Sequence, residues 1–268
     1  MIYTIESFLK GQDRSNLALV INGEWGSGKT YFVENNLPEI SKSLNLEYIY
    51  VSLNGISSLT DLLTALFVSR LGALKSLKDS KLGKISTSLL RIGFNLLGKN
   101  NPLVKFGPSD IQGAVDLLNV ASLEGTVVVL DDLERVLKDV DIVGLLGGIH
   151  SNIISKGAKV IFVCDESKVQ NKDDYQLVKE KYIGWTINYH PSTRESYNSL
   201  IITYNEEYRK FLDLKKSFLL DVFAILEVEN LRTVLFFFDI VYQIFDRIKR
   251  YDQSIVDSIL YSIFVHCV

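Results

Sequence analysis

Gly23-Glu24-Trp25-Gly26-Ser27-Gly28-Lys29-Thr30 fits the pattern G-x-x-x-x-G-K-[ST] of a phosphate-binding loop. The apolar run Leu17–Ile21 before it has strand length, and Tyr31 to Leu37 after it reads as a helix that Pro38 disturbs. Each position has a physical task. Gly23, Gly26 and Gly28 let the backbone turn tightly and aim N–H groups inward, and with the helix N-terminus these donors favour a polyphosphate. The Lys29 ammonium suits the β- and γ-phosphate oxygens, and the Thr30 hydroxyl suits Mg²⁺. Trp25 reads as a packing residue rather than a base-stacking platform. Glu24, within the loop, has no assigned task.

Outward from the loop, strands and helices alternate. Glu47 to Leu53 reads as a second strand, followed by apolar residues at helical spacing from Leu59 to Phe67. Val127–Leu130 is a buried strand running into Asp131-Asp132, Ile142 to Ile154 is a helix softened by Gly147-Gly148, Lys159 to Cys164 is a strand ending at Asp165, and Ile183 to Tyr189 is a fifth strand. Such alternation predicts a parallel sheet with helices on both faces, and phosphate sites on these sheets lie at the strands' carboxyl ends. From Ser192 the pattern is helical. The expected organisation is therefore a core over 1–192 and a helical lid over 193–268.

Arg70 to Lys105 interrupts this order with eight basic residues and one acid, a net +7, interleaved with leucines. It reads as an insertion that holds nucleic acid phosphates, lies on an anionic membrane, or forms a solvated basic face or an oligomer contact. Asp110 to Leu123 then reads as a helix.

The acidic pair carries the chemistry that the loop lacks. Asp131, closing an apolar strand, suits Mg²⁺ held through water; Asp132, one residue on, suits polarisation of a water opposite the γ-phosphate. Arg135 reads either as a phosphate contact or arginine finger, or as a salt-bridge partner of Glu134 or Asp132. Asp165 reads as a γ-phosphate sensor or as a helix N-cap. Arg232, in Asn230-Leu231-Arg232, reads as a phosphate contact reporting lid closure, or as a helix-start residue paired with Glu227 or Glu229. His150, His190 and His266 are scattered, so no metal site beyond Mg²⁺ is expected.

Composition bounds the remainder. The chain has 268 residues, 47% hydrophobic and 23% charged, with net charge −3, values ordinary for a globular protein. Two cysteines, Cys164 and Cys267, give neither a disulfide framework nor metal spacing, which points to a reducing cytosol. No signal sequence is seen, and no run approaches the ~18 apolar residues of a spanning helix. The apolar end Ile259–Val265 reads as the edge of a longer protein or as a docked terminal element.

The loop together with Val129-Leu130-Asp131-Asp132-Leu133-Glu134-Arg135 resembles the KAP P-loop NTPases, which show a Trp-Gly-x-Gly-Lys loop and an Asp-Asp/Glu-Leu-Asp/Glu-Arg acidic motif. Cys164-Asp165 and Asn230-x-Arg232 resemble that family's later motifs, though a Pro expected in the last is missing. The resemblance covers roughly residues 15–250. It implies an additional-strand P-loop ATPase fold with a helical lid, with ATP and Mg²⁺ as ligands. It also implies kinship with signal-transducing ATPases, including phage-exclusion proteins, in which the ATPase is a switch governing another domain or partner. Many members carry spanning helices between the two motifs, whereas the segment here is basic and amphipathic. The expected function is thus a Mg-dependent ATP-hydrolysing switch in antiviral defence or signal transduction. It would be cytoplasmic or peripherally membrane-bound, and would act as a homo-oligomer or on an effector. The alternatives are a nucleotide-binding assembly module with negligible hydrolysis and a P-loop kinase.

Overall fold

The computed structural model describes residues 1–11, 16–76 and 122–268, and the side chains of all these except 71–76. The basic stretch expected over 70–105 falls mostly outside the described residues, as does most of the helix expected over 110–123.

The described chain forms two units. The first comprises Met1–Asn22 and Thr30–Asn188. Its centre is a five-stranded parallel sheet of order β2-β3-β4-β1-β5, built from β1 (Ala18–Asn22), β2 (Glu47–Ser52), β3 (Thr126–Asp131), β4 (Lys159–Cys164) and β5 (Ile183–Asn188). β4 lies between β1 and β3, the additional strand that the sequence resemblance implies. The inner strands are buried along nearly their whole length, which explains their unbroken Val, Ile and Leu runs, whereas edge strand β2 alternates between buried and half-exposed positions and edge strand β5, after the buried Ile183, between half-exposed and exposed ones.

Period-two alternation sorts the sheet's side chains into two layers. Val20, Val51, Val128, Leu130, Val160 and Phe162 join one apolar cluster with α3 (Leu59–Ser76), α4 (Ile142–Asn152) and α5 (Lys172–Tyr182). Leu19, Ile21, Val127, Val129, Ile161 and Val163 alternate with them and are equally buried; so are Ile5, Phe8 and Leu9 of α1 (Ile2–Leu9) and Val33 and Leu37 of α2 (Lys29–Ser43).

Two details depart from the sequence expectation. α2 runs through Pro38 to Ser43 instead of faltering there. Proline removes one backbone donor, but Val33, Leu37 and Ser41 are all fully buried, so packing of that face outweighs the lost bond. Gly147-Gly148 does not soften α4, which is continuous. A Cβ on Gly148 would lie 2.5 Å from Leu59 Cδ2, so this glycine allows a close approach of α3 to α4.

The second unit comprises Gly23–Lys29 and Tyr189–Val268. Its helices are α6 (Thr193–Ile201), α7 (Glu206–Ile225), α8 (Leu231–Ile248) and α9 (Gln253–Cys267). Ser192 opens α6 with a reciprocal capping box to Glu195, and Asn205 caps α7 through the Tyr208 amide. The core is aromatic: Phe223, Phe237 and Phe264 have ring centroids 4.6–6.1 Å apart. The fully buried Tyr197 and Tyr208 donate to the Leu212 and Phe238 carbonyls at 2.9 and 2.8 Å, so neither phenol is stranded. Lys215, 7% exposed, is neutralised by Asp257 at 2.6 Å, linking α7 to α9.

Candidate functional site

In the first unit, the parallel register aligns Ser52 with Asp131 and Asp131 with Val163, so the polar ends of neighbouring strands gather at one edge. Asp131 is 2% exposed, and a carboxylate so withdrawn from water needs donors. It has three. Thr30 Oγ1 and Tyr50 Oη each donate to Oδ2 at 2.8 Å, and the Asp132 amide donates to Oδ1 at 2.8 Å. The loop threonine and the acid of β3, which separate sequence motifs suit to Mg²⁺, share a hydrogen bond across 101 residues of sequence.

Asp132 adopts φ 62° and ψ 40°, a left-handed conformation that few non-glycine residues occupy. It accepts a hydrogen bond from Ser52 Oγ at 3.1 Å, and Arg135 Nε stands 3.1 Å from its Oδ1. Of the two readings of Arg135, the ion pair with Asp132 is the arrangement present. Burial is the main cause that pushes the Tyr50 phenol well above its usual range, reinforced by the Asp131 hydrogen bond and charge and by Glu34 and Asp132. Tyr50 therefore remains a neutral donor at all physiological pH. Burial, with Glu34 and Asp131, does the same to Tyr48, whose hydroxyl donates to the Val33 carbonyl of α2 at 3.1 Å.

At the end of β1, Asn22 ties three strands together. Its carboxamide donates to Asn188 Oδ1 and accepts from the Glu166 amide, both at 3.0 Å. Asp165 is 4% exposed and accepts from the Ser167 amide at 3.0 Å, the N-cap arrangement. Glu166, next in sequence, pairs with Lys179 at 2.7 Å and accepts from Tyr175 at 2.6 Å.

In the second unit, Gly23–Lys29 forms a compact loop. Gly26 and Gly28 have φ of +83° and +90°, which a side chain would strain. The Lys29 ammonium, 7% exposed, donates to the Gly23 and Glu24 carbonyls at 2.7 and 2.8 Å and so spans the loop it follows. Ser27 is 8% exposed, and its hydroxyl has no hydrogen-bond partner among the described residues. Trp25, expected to pack, is 46% exposed.

The start of α8 belongs to the same cluster. The Leu231 amide donates to the Gly26 carbonyl at 2.9 Å, and a Cβ on Gly26 would stand 2.5 Å from Asn230 Cγ. Asn230 is also the N-cap of α8, accepting from the Arg232 amide at 3.0 Å, and the Arg232 side chain is exposed. Sequence reading found the motif at 230–232 but not its seat on the loop, nor Tyr50, Ser52 or Asn22. An alternating Tyr-x-Tyr-x-Ser strand leading to a polar carboxyl end was the available signal for Tyr50 and Ser52.

The donor chemistry fits a Mg²⁺–nucleotide. Thr30 and Asp131 are hard oxygen ligands of the kind Mg²⁺ takes in ones and twos, with substrate phosphates and water completing the shell. The unpartnered Ser27 hydroxyl and the paired loop glycines suit a phosphate. Among the described residues, no group of three or more His, Cys, Asp or Glu is placed to hold a metal by itself, and no helix is long and apolar enough to cross a membrane.

Comparison with known proteins supports the sequence resemblance over the loop end of the chain, and the family match stops before the motifs at Asp131, Asp165 and Arg232. The sequence model of the KAP family P-loop domain matches residues 1–98, which include the loop, β1 and β2. No curated protein matches the chain. Among solved structures, it is similar to the Aeropyrum pernix ORC1 protein in complex with DNA, at 14% identity and TM-score 0.51, over 98% of this chain and 63% of that one. It is also similar to the Aeropyrum pernix ORC2 protein (ADPNP-ADP complexes), at 15% identity and TM-score 0.52, over 99% of this chain and 67% of that one. At these identities the likeness is one of fold, a P-loop parallel sheet followed by helices, and the chain spans about two thirds of each of those proteins.

Proposed function

We propose that this protein binds ATP with Mg²⁺ and hydrolyses it, as a switch whose state is read by its C-terminal helices. The observation that carries the reading is the 2.8 Å hydrogen bond from Thr30 to Asp131, which unites the last residue of the loop motif with the acid of the second motif. The P-loop family match over 1–98 and the fold shared with a protein solved in ADPNP-ADP complexes support it.

Residue roles follow from chemistry. Backbone donors of Gly23–Gly28, the Ser27 hydroxyl and Lys29 hold the β- and γ-phosphates. Thr30 and Asp131 hold the metal, which when bound neutralises phosphate charge. Asp132 takes the proton of the attacking water as its oxygen bonds to the γ-phosphorus and the β–γ bridge breaks. Arg135 orients Asp132 through their ion pair, and on release of that pair is the residue able to reach phosphate, of the same or a neighbouring subunit. Asp165, whose carboxylate caps the turn after β4 through Ser167, senses the γ-phosphate only on release of that cap, and Arg232 links nucleotide to α8. Equilibrium ATP binding and steady-state turnover test this scheme in the wild type and in Lys29→Ala: we expect Mg-dependent turnover in the first and its loss in the second.

One observation favours a second reading. Asp132 is engaged by both Ser52 and Arg135, and a base so restrained would suit a nucleotide-binding assembly module with negligible hydrolysis. ATP binding without turnover at any protein concentration would select it. A P-loop kinase would instead need an acceptor pocket rich in arginine. Roles in antiviral defence or signal transduction, and contact of the basic 70–105 stretch with nucleic acid or an anionic membrane, complete the proposal. Binding to DNA, or to anionic vesicles, that weakens with salt would support the last part.

A further inference from the structure

We propose that Tyr50 is a positioning residue for the metal-ligating pair Thr30–Asp131, fixing the Asp131 carboxylate so that metal affinity, and not nucleotide affinity, depends on its phenol. This rests on the nucleotide-binding reading above. β2 is an edge strand, and Tyr48, Tyr50 and Ser52 share its less buried face while Ile49 and Val51 enter the core. The register of β2 against β3 sets Ser52 beside Asp131 and brings Tyr50 within reach of the same carboxylate. All three polar residues of that face are engaged: Tyr48 with the backbone of α2, Tyr50 with Asp131, Ser52 with Asp132.

The two donors on Asp131 Oδ2 are not equivalent. The Thr30 hydroxyl is the group that a P-loop commits to the metal. The Tyr50 phenol comes from a ring anchored in the sheet, 81 residues from Asp131 in sequence, and keeps the carboxylate oriented whatever Thr30 does. Positioning of a metal ligand by an outer donor commonly changes metal affinity by tenfold or more when lost. A tyrosine that merely packed would leave metal affinity unchanged when replaced by phenylalanine.

The test uses the full chain as wild type, Tyr50→Phe, Tyr50→His and Tyr48→Phe. Mn²⁺ binding in the presence of a non-hydrolysable ATP analogue is followed by electron paramagnetic resonance, and analogue binding is followed separately in EDTA. We expect Tyr50→Phe to weaken Mn²⁺ binding roughly tenfold, with analogue affinity in EDTA within about twofold of wild type. Tyr50→His, whose imidazole ends short of the phenol oxygen, should lose about as much Mn²⁺ affinity as Tyr50→Phe, and Tyr48→Phe should bind Mn²⁺ as wild type does. Unchanged Mn²⁺ affinity in Tyr50→Phe, or an equal loss in Tyr48→Phe, overturns the assignment. Failure of the wild type to bind the analogue at all overturns the nucleotide-binding reading beneath it, and is seen before any variant is made. Should Tyr50→Phe fold poorly, the comparison of Tyr50→His with wild type decides: analogue affinity in EDTA falling as far as Mn²⁺ affinity counts against positioning.

Discussion

Asp131 is held at the carboxyl end of β3 by donors from β2, from Thr30 and from its own neighbour, whereas the loop Gly23–Lys29 is shaped by its own carbonyls and by the first residues of α8. The first arrangement is a product of strand register. Its geometry is spread over a sheet whose inner strands are buried along nearly their whole length, so a single surface change hardly moves it. The second depends on two glycines with positive φ and one asparagine that fills the space a side chain would need. There the cost of substitution is local and steep.

The most damaging way to probe this contrast is Gly26→Ala. Backbone strain at φ +83° adds to collision with the Asn230 carboxamide, and we expect ATP affinity, read from Trp25 fluorescence or equilibrium dialysis, to fall at least about a hundredfold. Combining it with Asn230→Ala sharpens the comparison. Removing the carboxamide relieves the collision but not the strain, so the double variant should recover part of the affinity. Full additivity would count against a seat of the loop on Asn230.

Next in size is Asp131→Asn. The amide keeps the shape but loses the charge that a cation needs, and its NH₂ group faces hydroxyl donors if it occupies the Oδ2 position. We expect turnover to drop about a hundredfold or more, with the Mg²⁺ requirement shifted upward and the circular dichroism spectrum unchanged. Asn230→Ala alone is the mildest. Loss of an N-cap costs about 1 kcal/mol, a melting shift of roughly 2–4 °C for a chain of this size, because α8 remains anchored by its buried apolar face.

The same contrast separates what the sequence discloses from what it hides. The strands were legible because buried parallel strands are continuous apolar runs, and Asp131 and Asp165 were legible because each follows such a run. Asn230 was legible as the opening of a helical repeat. Contacts fixed by register or by distant packing were not. Tyr50 finds Asp131 only because β2 aligns with β3 in one register, and nothing local to Gly26 announces that Asn230 will occupy the space above it. Pro38 misled for the same reason: local propensity argued for a break, and burial of Val33, Leu37 and Ser41 overrode it.

ATP hydrolysis by Asp132→Asn, measured beside wild type in the same Mg²⁺ buffer with ATP binding determined in parallel, tests the central claim most directly. The variant keeps the strand end and the left-handed turn, which asparagine tolerates well, and removes the base together with the charge that pairs with Arg135. We expect ATP affinity within a fewfold of wild type and turnover reduced about a hundredfold or more. Equal turnover in the two proteins, or no measurable turnover in either, would contradict hydrolysis at this site.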